Sequence, residues 1–233
     1  MQRFHRFRYV LSILALPLAA VSYGQEAADS DTGDTPNAES MAAYLLKDLN
    51  EREQSAYKRY EKALATEDVH SIETELQSIV DGYEALISAA PNYAAAFISY
   101  GMMLHRIGER IPSNAMLIRA DQIDPYHAIV KNQLGNYQAE EGNYPEAMAF
   151  YQMAVDLRPD EPLYHYQLGN LLFSYRKFFI DDKLFLPEGI DLEIQNRFRK
   201  VLLSLTTKKQ DYLRLDQKPI LYLFQLEFHF CSP

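Results

Sequence analysis

The 233-residue chain has no tryptophan and one cysteine, and it is short of the residues that turn a backbone sharply. Its 9 Gly and 11 Pro make 20 of 233 positions, about 9% against roughly 12% in average proteins. Sheet-rich folds need such residues at many turns, so the shortage favours an all-α fold. With Cys231 alone, an internal disulfide framework and a Cys-cluster metal site are both excluded. Bases are scarce too: 23 Lys+Arg against 32 Asp+Glu leave a net charge of -9. Phosphate contacts need clustered Lys and Arg, so no nucleic-acid partner is expected. What is present is an ordinary 48% of apolar and 24% of charged residues, with 17 Tyr as an amphipathic aromatic supply.

Catalytic and metal motifs are missing as well. The six His, at 5, 70, 105, 127, 165 and 229, show no H-E-x-x-H and no i,i+4 pair. There is no G-x-G-x-x-G, G-x-x-x-x-G-K-[ST] or G-x-S-x-G. We therefore expect no cofactor, no metal and no catalytic residue, and read the chain as not an enzyme. The carboxylate pairs Asp181/Asp182 and Glu140/Glu141 read first as solvated faces. The former, in an insertion described below, is the better candidate for acid/base work or Ca²⁺.

The first 24 residues read as a secretory signal peptide. Arg3, Arg6 and Arg8 precede thirteen uncharged residues, Tyr9 to Val21, too few for the roughly 20 that span a bilayer. Ser22 and Gly24 are small residues at -3 and -1 of a cut before Gln25; a cut after Ser22, or an uncleaved anchor, are the alternatives. Cleavage removes three bases, so the mature charge is -9 minus 3, or -12. The expected location is secreted or periplasmic, with no stable membrane span after cleavage. Residues 25–40 carry five acids, no base and no large apolar side chain, and read as an acidic disordered linker.

Beyond the linker, Pro91, Pro125 and Pro159 are spaced by 34 and 34, as are Gly101, Gly135 and Gly169, and Gly108 and Gly142 repeat the interval once more. Two residue types on one period define a repeat. The pattern resembles the tetratricopeptide repeat (TPR) family, whose unit is a helix A, a turn and a helix B. From Ala128 to Glu161, motif positions are held by Leu134, Gly135, Gly142, Tyr144, Ala147, Tyr151, Ala154, Leu157 and Pro159. Gly135 leaves room for a helix to approach, and Gly142 takes the φ > 0 that ends helix A. Ala147 and Ala154 are small where helices cross, and Asn143 with Glu146 suggests a capping box for helix B.

The resemblance implies an all-α helix-turn-helix solenoid of about three to four helical pairs: a degenerate pair at 41–91, units at 92–127 and 128–161, and a degenerate unit at 162–206. The 92–127 unit has Ser113 where Ala is expected. The last begins well, with Leu168 and Gly169, but the helix-B aromatic due at 185 is met by Phe198, thirteen residues late, so an insertion at about 176–189 separates its helices. The tail at 207–233 leaves the pattern. There Phe224, Leu226, Phe228 and Phe230 alternate with polar residues as in a strand. It reads either as a frame-shifted end or as a native cap.

In this family helix A lines the concave face that meets peptides. Carried over, those positions are Ile98, Met102, His105 and Arg106; then Asn132, Asn136, Ala139 and Glu140; then Tyr166, Asn170, Phe173 and Ser174. Asn136 and Asn170 repeat one motif position, where an amide can both donate to and accept from an extended backbone; a partly solvated helix face would also hold Asn there. These positions supply one base, Arg106, and an acid, Glu140, which disfavours a clamp for two carboxylates. The function implied is a non-catalytic protein-protein interaction scaffold in an extracytoplasmic compartment, with a protein or peptide ligand. The alternatives are an accessory or truncated part of an envelope enzyme, and a membrane-surface organiser, which the acidic mature chain disfavours because anionic lipid repels it.

Overall fold

A computed structural model describes residues 38–63 and 70–207. The signal peptide, most of the acidic linker and the tail beyond 207 lie outside the described residues. Among those described, every regular element is a helix: α1 Ala38–Ala63, α2 His70–Ala89, α3 Ala94–Arg106, α4 Arg110–Ile123, α5 Ala128–Glu140, α6 Tyr144–Leu157, α7 Pro162–Ser174, α8 Arg176–Asp181 and α9 Pro187–Thr207. The helix α1 begins inside the stretch expected to be linker. The helices pack in pairs, α1 with α2, α3 with α4, α5 with α6 and α7 with α9. The chain divides into two compact units, one ending at Asp124 and the other beginning at Pro125.

The turns within pairs follow from glycine. Gly108 and Gly142 have φ of 83° and 82°, in the left-handed region. At each, two amides return to the helix just ended: Gly108 N–H to His105 O and Glu109 N–H to Leu104 O, then Gly142 N–H to Ala139 O and Asn143 N–H to Gln138 O. This is a Schellman cap, which satisfies carbonyls the helix end would leave open. The capping box expected at Asn143 is not formed, because its side-chain amide donates to Gln138 Oε1 at 2.8 Å instead.

The period then fails for a physical reason. One interval beyond Gly142 stands Arg176, which does not favour positive φ, so the chain continues into α8. It turns at Lys183, φ 58°, with the same pair of bonds, Lys183 N–H to Ile180 O and Leu184 N–H to Phe179 O. Helix B of this pair is α9.

Within each pair a glycine admits a large side chain from the other helix. A Cβ on Gly135 would lie 2.7 Å from the Tyr151 ring, one on Gly101 3.0 Å from Leu117, and one on Gly169 3.1 Å from the Phe198 ring. Phe198 thus fills the place that Tyr151 fills one unit earlier. In the first pair the roles reverse: Gly82 is on helix B, and Leu49 of α1 stands over it. Burying side chains of this size contributes roughly 1.5–3 kcal/mol each.

In the first unit Leu46, Leu49, Leu76, Ile79, Tyr83 and Met103 form the core, and in the second Tyr151, Leu168, Leu172, Phe179, Ile194 and Phe198 do. Ser113 is accommodated because its buried hydroxyl donates to Gly101 O at 2.8 Å.

Candidate functional site

Of the helix-A residues, four lie in the first unit, on α3. Ile98 is only 3% exposed, so it is core and leaves the expected contact set. Met102 and His105 are half-buried. Arg106 is already engaged: its Nη1 donates to Glu53 Oε1 at 2.6 Å, and its guanidinium sits 4.5 Å from the Tyr57 ring centroid.

Glu53 is a buried carboxylate that the repeat pattern did not single out. The Tyr83 hydroxyl lies 2.8 Å from both its Oε2 and Asn50 Oδ1, so this cluster joins α1, α2 and α3. Burial raises the Glu53 pKa above the ordinary carboxylate value, against the lowering effect of Arg106 and Tyr83. The same burial raises the Tyr57 and Tyr83 phenols, with the Glu53 charge adding to it. A break in the helical period would not reveal Glu53, since it sits among polar neighbours in α1.

The other eight lie in the second unit, on α5 and α7. Asn132 is 2% exposed, and its Oδ1 has no hydrogen-bond partner among the described residues. It too leaves the set, since a buried side chain cannot meet an external peptide. Ala139 is half-buried and Glu140 exposed; Tyr166 and Phe173 are half-buried and Ser174 exposed. Tyr166 lies against Phe198, ring centroids 6.3 Å apart.

The two repeated asparagines differ. Asn136 Oδ1 accepts from the Tyr151 hydroxyl at 2.7 Å, and its Nδ2 donates to Gln133 Oε1 at 3.0 Å. Asn136 therefore holds the side chain standing over Gly135. At the equivalent place over Gly169 stands Phe198, which has no hydroxyl to offer Asn170. The side chain of the half-buried Asn170 has no hydrogen-bond partner among the described residues.

A second polar cluster in this unit also went unread in the sequence. Buried His165 of α7 is sandwiched between Pro159 O and Arg197, and Arg197 reaches Gln152 of α6 and Glu193 of α9. The insertion is fastened nearby. Tyr175 stacks on Tyr144 of α6 with ring centroids 3.7 Å apart, and Arg176 forks onto Asp191 of α9 at 2.6 and 2.8 Å. Asp181 and Asp182 are exposed at the end of α8. No group of three or more His, Cys, Asp and Glu able to hold a metal occurs among the described residues.

The family model for the TPR repeat matches residues 133–174, from α5 through α6 to the end of α7. Residues 133–174 carry the tetratricopeptide repeat. Among solved structures, the chain is similar to an O-GlcNAc transferase of Thermobaculum terrenum, at 19% identity and a TM-score of 0.49, over 68% of this chain and 26% of that one. It is similar to pilF of Pseudomonas aeruginosa, at 11% identity and a TM-score of 0.49, over 78% and 86%. It is also similar to MamA of Desulfovibrio magneticus, at 21% identity and a TM-score of 0.45, over 72% and 97%. The chain spans about a quarter of the transferase's length. No curated protein matches it. The repeat is a protein-interaction scaffold, a fold that is generally a non-catalytic module. Among the described residues no helix is long and apolar enough to cross a membrane.

Proposed function

We propose that this TPR chain is a non-catalytic, extracytoplasmic scaffold that holds an extended protein or peptide segment against the α5 and α7 face of its second unit. The observation that carries the reading is the difference between the two repeated amides. Tyr151 occupies Asn136, whereas Phe198 leaves Asn170 free to bond a ligand backbone. Half-buried Phe173 and Tyr166 supply apolar and aromatic surface beside it, and Ser174 and Glu140 a polar rim. Such a mixture suits a segment of moderate polarity. The export reading rests on Arg3, Arg6 and Arg8 ahead of the uncharged run and on the small residues at 22 and 24.

Asn170→Ala should lower the capture of a crosslinked segment from envelope extract while leaving helicity unchanged, and Asn136→Ala should act through stability. A free backbone hydrogen bond of this kind contributes roughly 1 kcal/mol, about a fivefold loss of affinity. Undiminished capture by a folded Asn170→Ala protein would reject the face. Intact mass of the exported chain tests the compartment, the expected N-terminus being Gln25.

A further inference from the structure

His165, on α7, is 5% exposed, and both ring nitrogens are occupied. Nε2 lies 2.8 Å from the carbonyl oxygen of Pro159, which can only accept, so Nε2 carries the ring hydrogen. Nδ1 faces Arg197 Nη1 at 3.4 Å; a guanidinium can only donate, so Nδ1 is the bare acceptor. The packing therefore selects the neutral imidazole, in one tautomer.

Arg197 is the centre of the contact. Its Nε donates to Glu193 at 2.6 Å, its Nη2 to Gln152 Oε1 at 3.0 Å, and its Cβ lies 3.1 Å from where a Cβ on Gly169 would be. One side chain thus joins α6, α7 and α9. The charged groups facing His165 are Arg197 and Lys200, which oppose a second proton, and Glu193, which favours one; all three are on α9. The α6 partner, Gln152, is uncharged.

We propose that His165 is an acid-sensitive latch on the pair formed by α7 and α9: a proton taken up at Nδ1 sets an N–H against the N–H groups of Arg197 and opens the contact. Burial, the largest cause, lowers the His165 pKa below the ordinary histidine value, and the nearby cations act in the same direction. The sign follows. The folded state prefers the neutral ring, and the unfolded chain takes the proton near pH 6.5. The pair is at full stability above about pH 6.5 and loses it as the pH falls from there to the lower folded-state value. Because α7 also carries Tyr166, Asn170 and Phe173, opening reaches the surface proposed above. The latch itself acts on helix packing, whether or not that face holds a peptide.

The test is imidazole NMR titration and amide hydrogen exchange on the full chain, compared with His165→Gln, whose amide can donate to Pro159 and accept from Arg197 but gains no proton. We expect the His165 ring to titrate below about 6.5. Corrected for intrinsic chemistry, the opening constant of α9 should rise by up to about tenfold per pH unit below that point, and His165→Gln should lose this rise. Arg197→Gln, which removes the nearest cation, should move the His165 titration upward. A ring that titrates at or above the ordinary histidine value, or an equal acid response in both proteins, overturns the latch. If His165→Gln does not fold, the wild-type titration decides alone.

Discussion

One oxygen atom distinguishes Tyr151 from Phe198, and it decides what two identical asparagines can do. Both rings stand over a glycine of the paired helix, but the Tyr151 hydroxyl is buried and must find an acceptor, and Asn136 is the one within reach. Burial and the Glu140 charge both raise the Tyr151 phenol above its ordinary pKa, so it remains a donor at physiological pH. Tyr151→Phe should therefore cost about 1 kcal/mol in chemical denaturation, and it should free the Asn136 Oδ1 for the role proposed for Asn170. The readout is ligand capture: an Asn136→Ala substitution made in the Tyr151→Phe background should now reduce it. The repeat of Asn at a 34-residue interval was legible in the sequence. That only one of the pair is free was not, because it depends on which ring crosses above each glycine.

At the scale of the element, the insertion shows how a helical pair tolerates losing its turn residue. Where Gly142 has its counterpart, the chain has Arg176, so it extends through α8 until Lys183 makes the cap. The detour is anchored rather than loose. Phe179 is fully buried, and the Arg176–Asp191 fork and the Tyr144–Tyr175 stack tie its N-terminal end to neighbouring helices. A lysine in the left-handed region carries a backbone strain of roughly 1–2 kcal/mol. Lys183→Gly should relieve part of it and, after the greater freedom glycine has in the unfolded chain, stabilise by less than about 1 kcal/mol. A thermal melt checks the sign, and a lower melting point would show that the exposed lysine makes an offsetting contact. The late position of Phe198 was legible from spacing. The place of the turn was not, since lysine is no turn signal until the helices around it are fixed.

For the whole molecule, the two units should answer acid in opposite directions. In the second, the neutral His165 is lost as pH falls. In the first, Glu53 has a folded pKa raised above its unfolded value, so its ionised form is a cost that is present at neutral pH and relieved as pH falls through the folded value. Hydrogen exchange near pH 7 and in mild acid should show the α1 and α2 core holding or gaining protection while α9 loses it. Glu53→Gln keeps an acceptor for Arg106 and can donate its amide N–H to the Tyr83 oxygen, whose hydroxyl then goes to Asn50, without the titration; it should abolish the response of the first unit only. Equal change in both units would count against assigning it to these two groups.

Glycine and proline at a fixed interval, with apolar residues at helical spacing between them, determined by themselves that the chain is all-α, built of paired helices and lacking the motifs of the common enzyme chemistries. These properties depend on local backbone geometry and on periodicity, which a linear string carries in full. Only the tertiary structure decided that Ile98 and Asn132 are buried, that Arg106 is committed to Glu53, that a ring without a hydroxyl stands over Gly169, and that His165 lies between Pro159 O and Arg197. Each of these turns on a partner 15 or more residues away or on which face of a helix is covered. Burial and the company of charges are properties of packing, and no spacing in the chain encodes them.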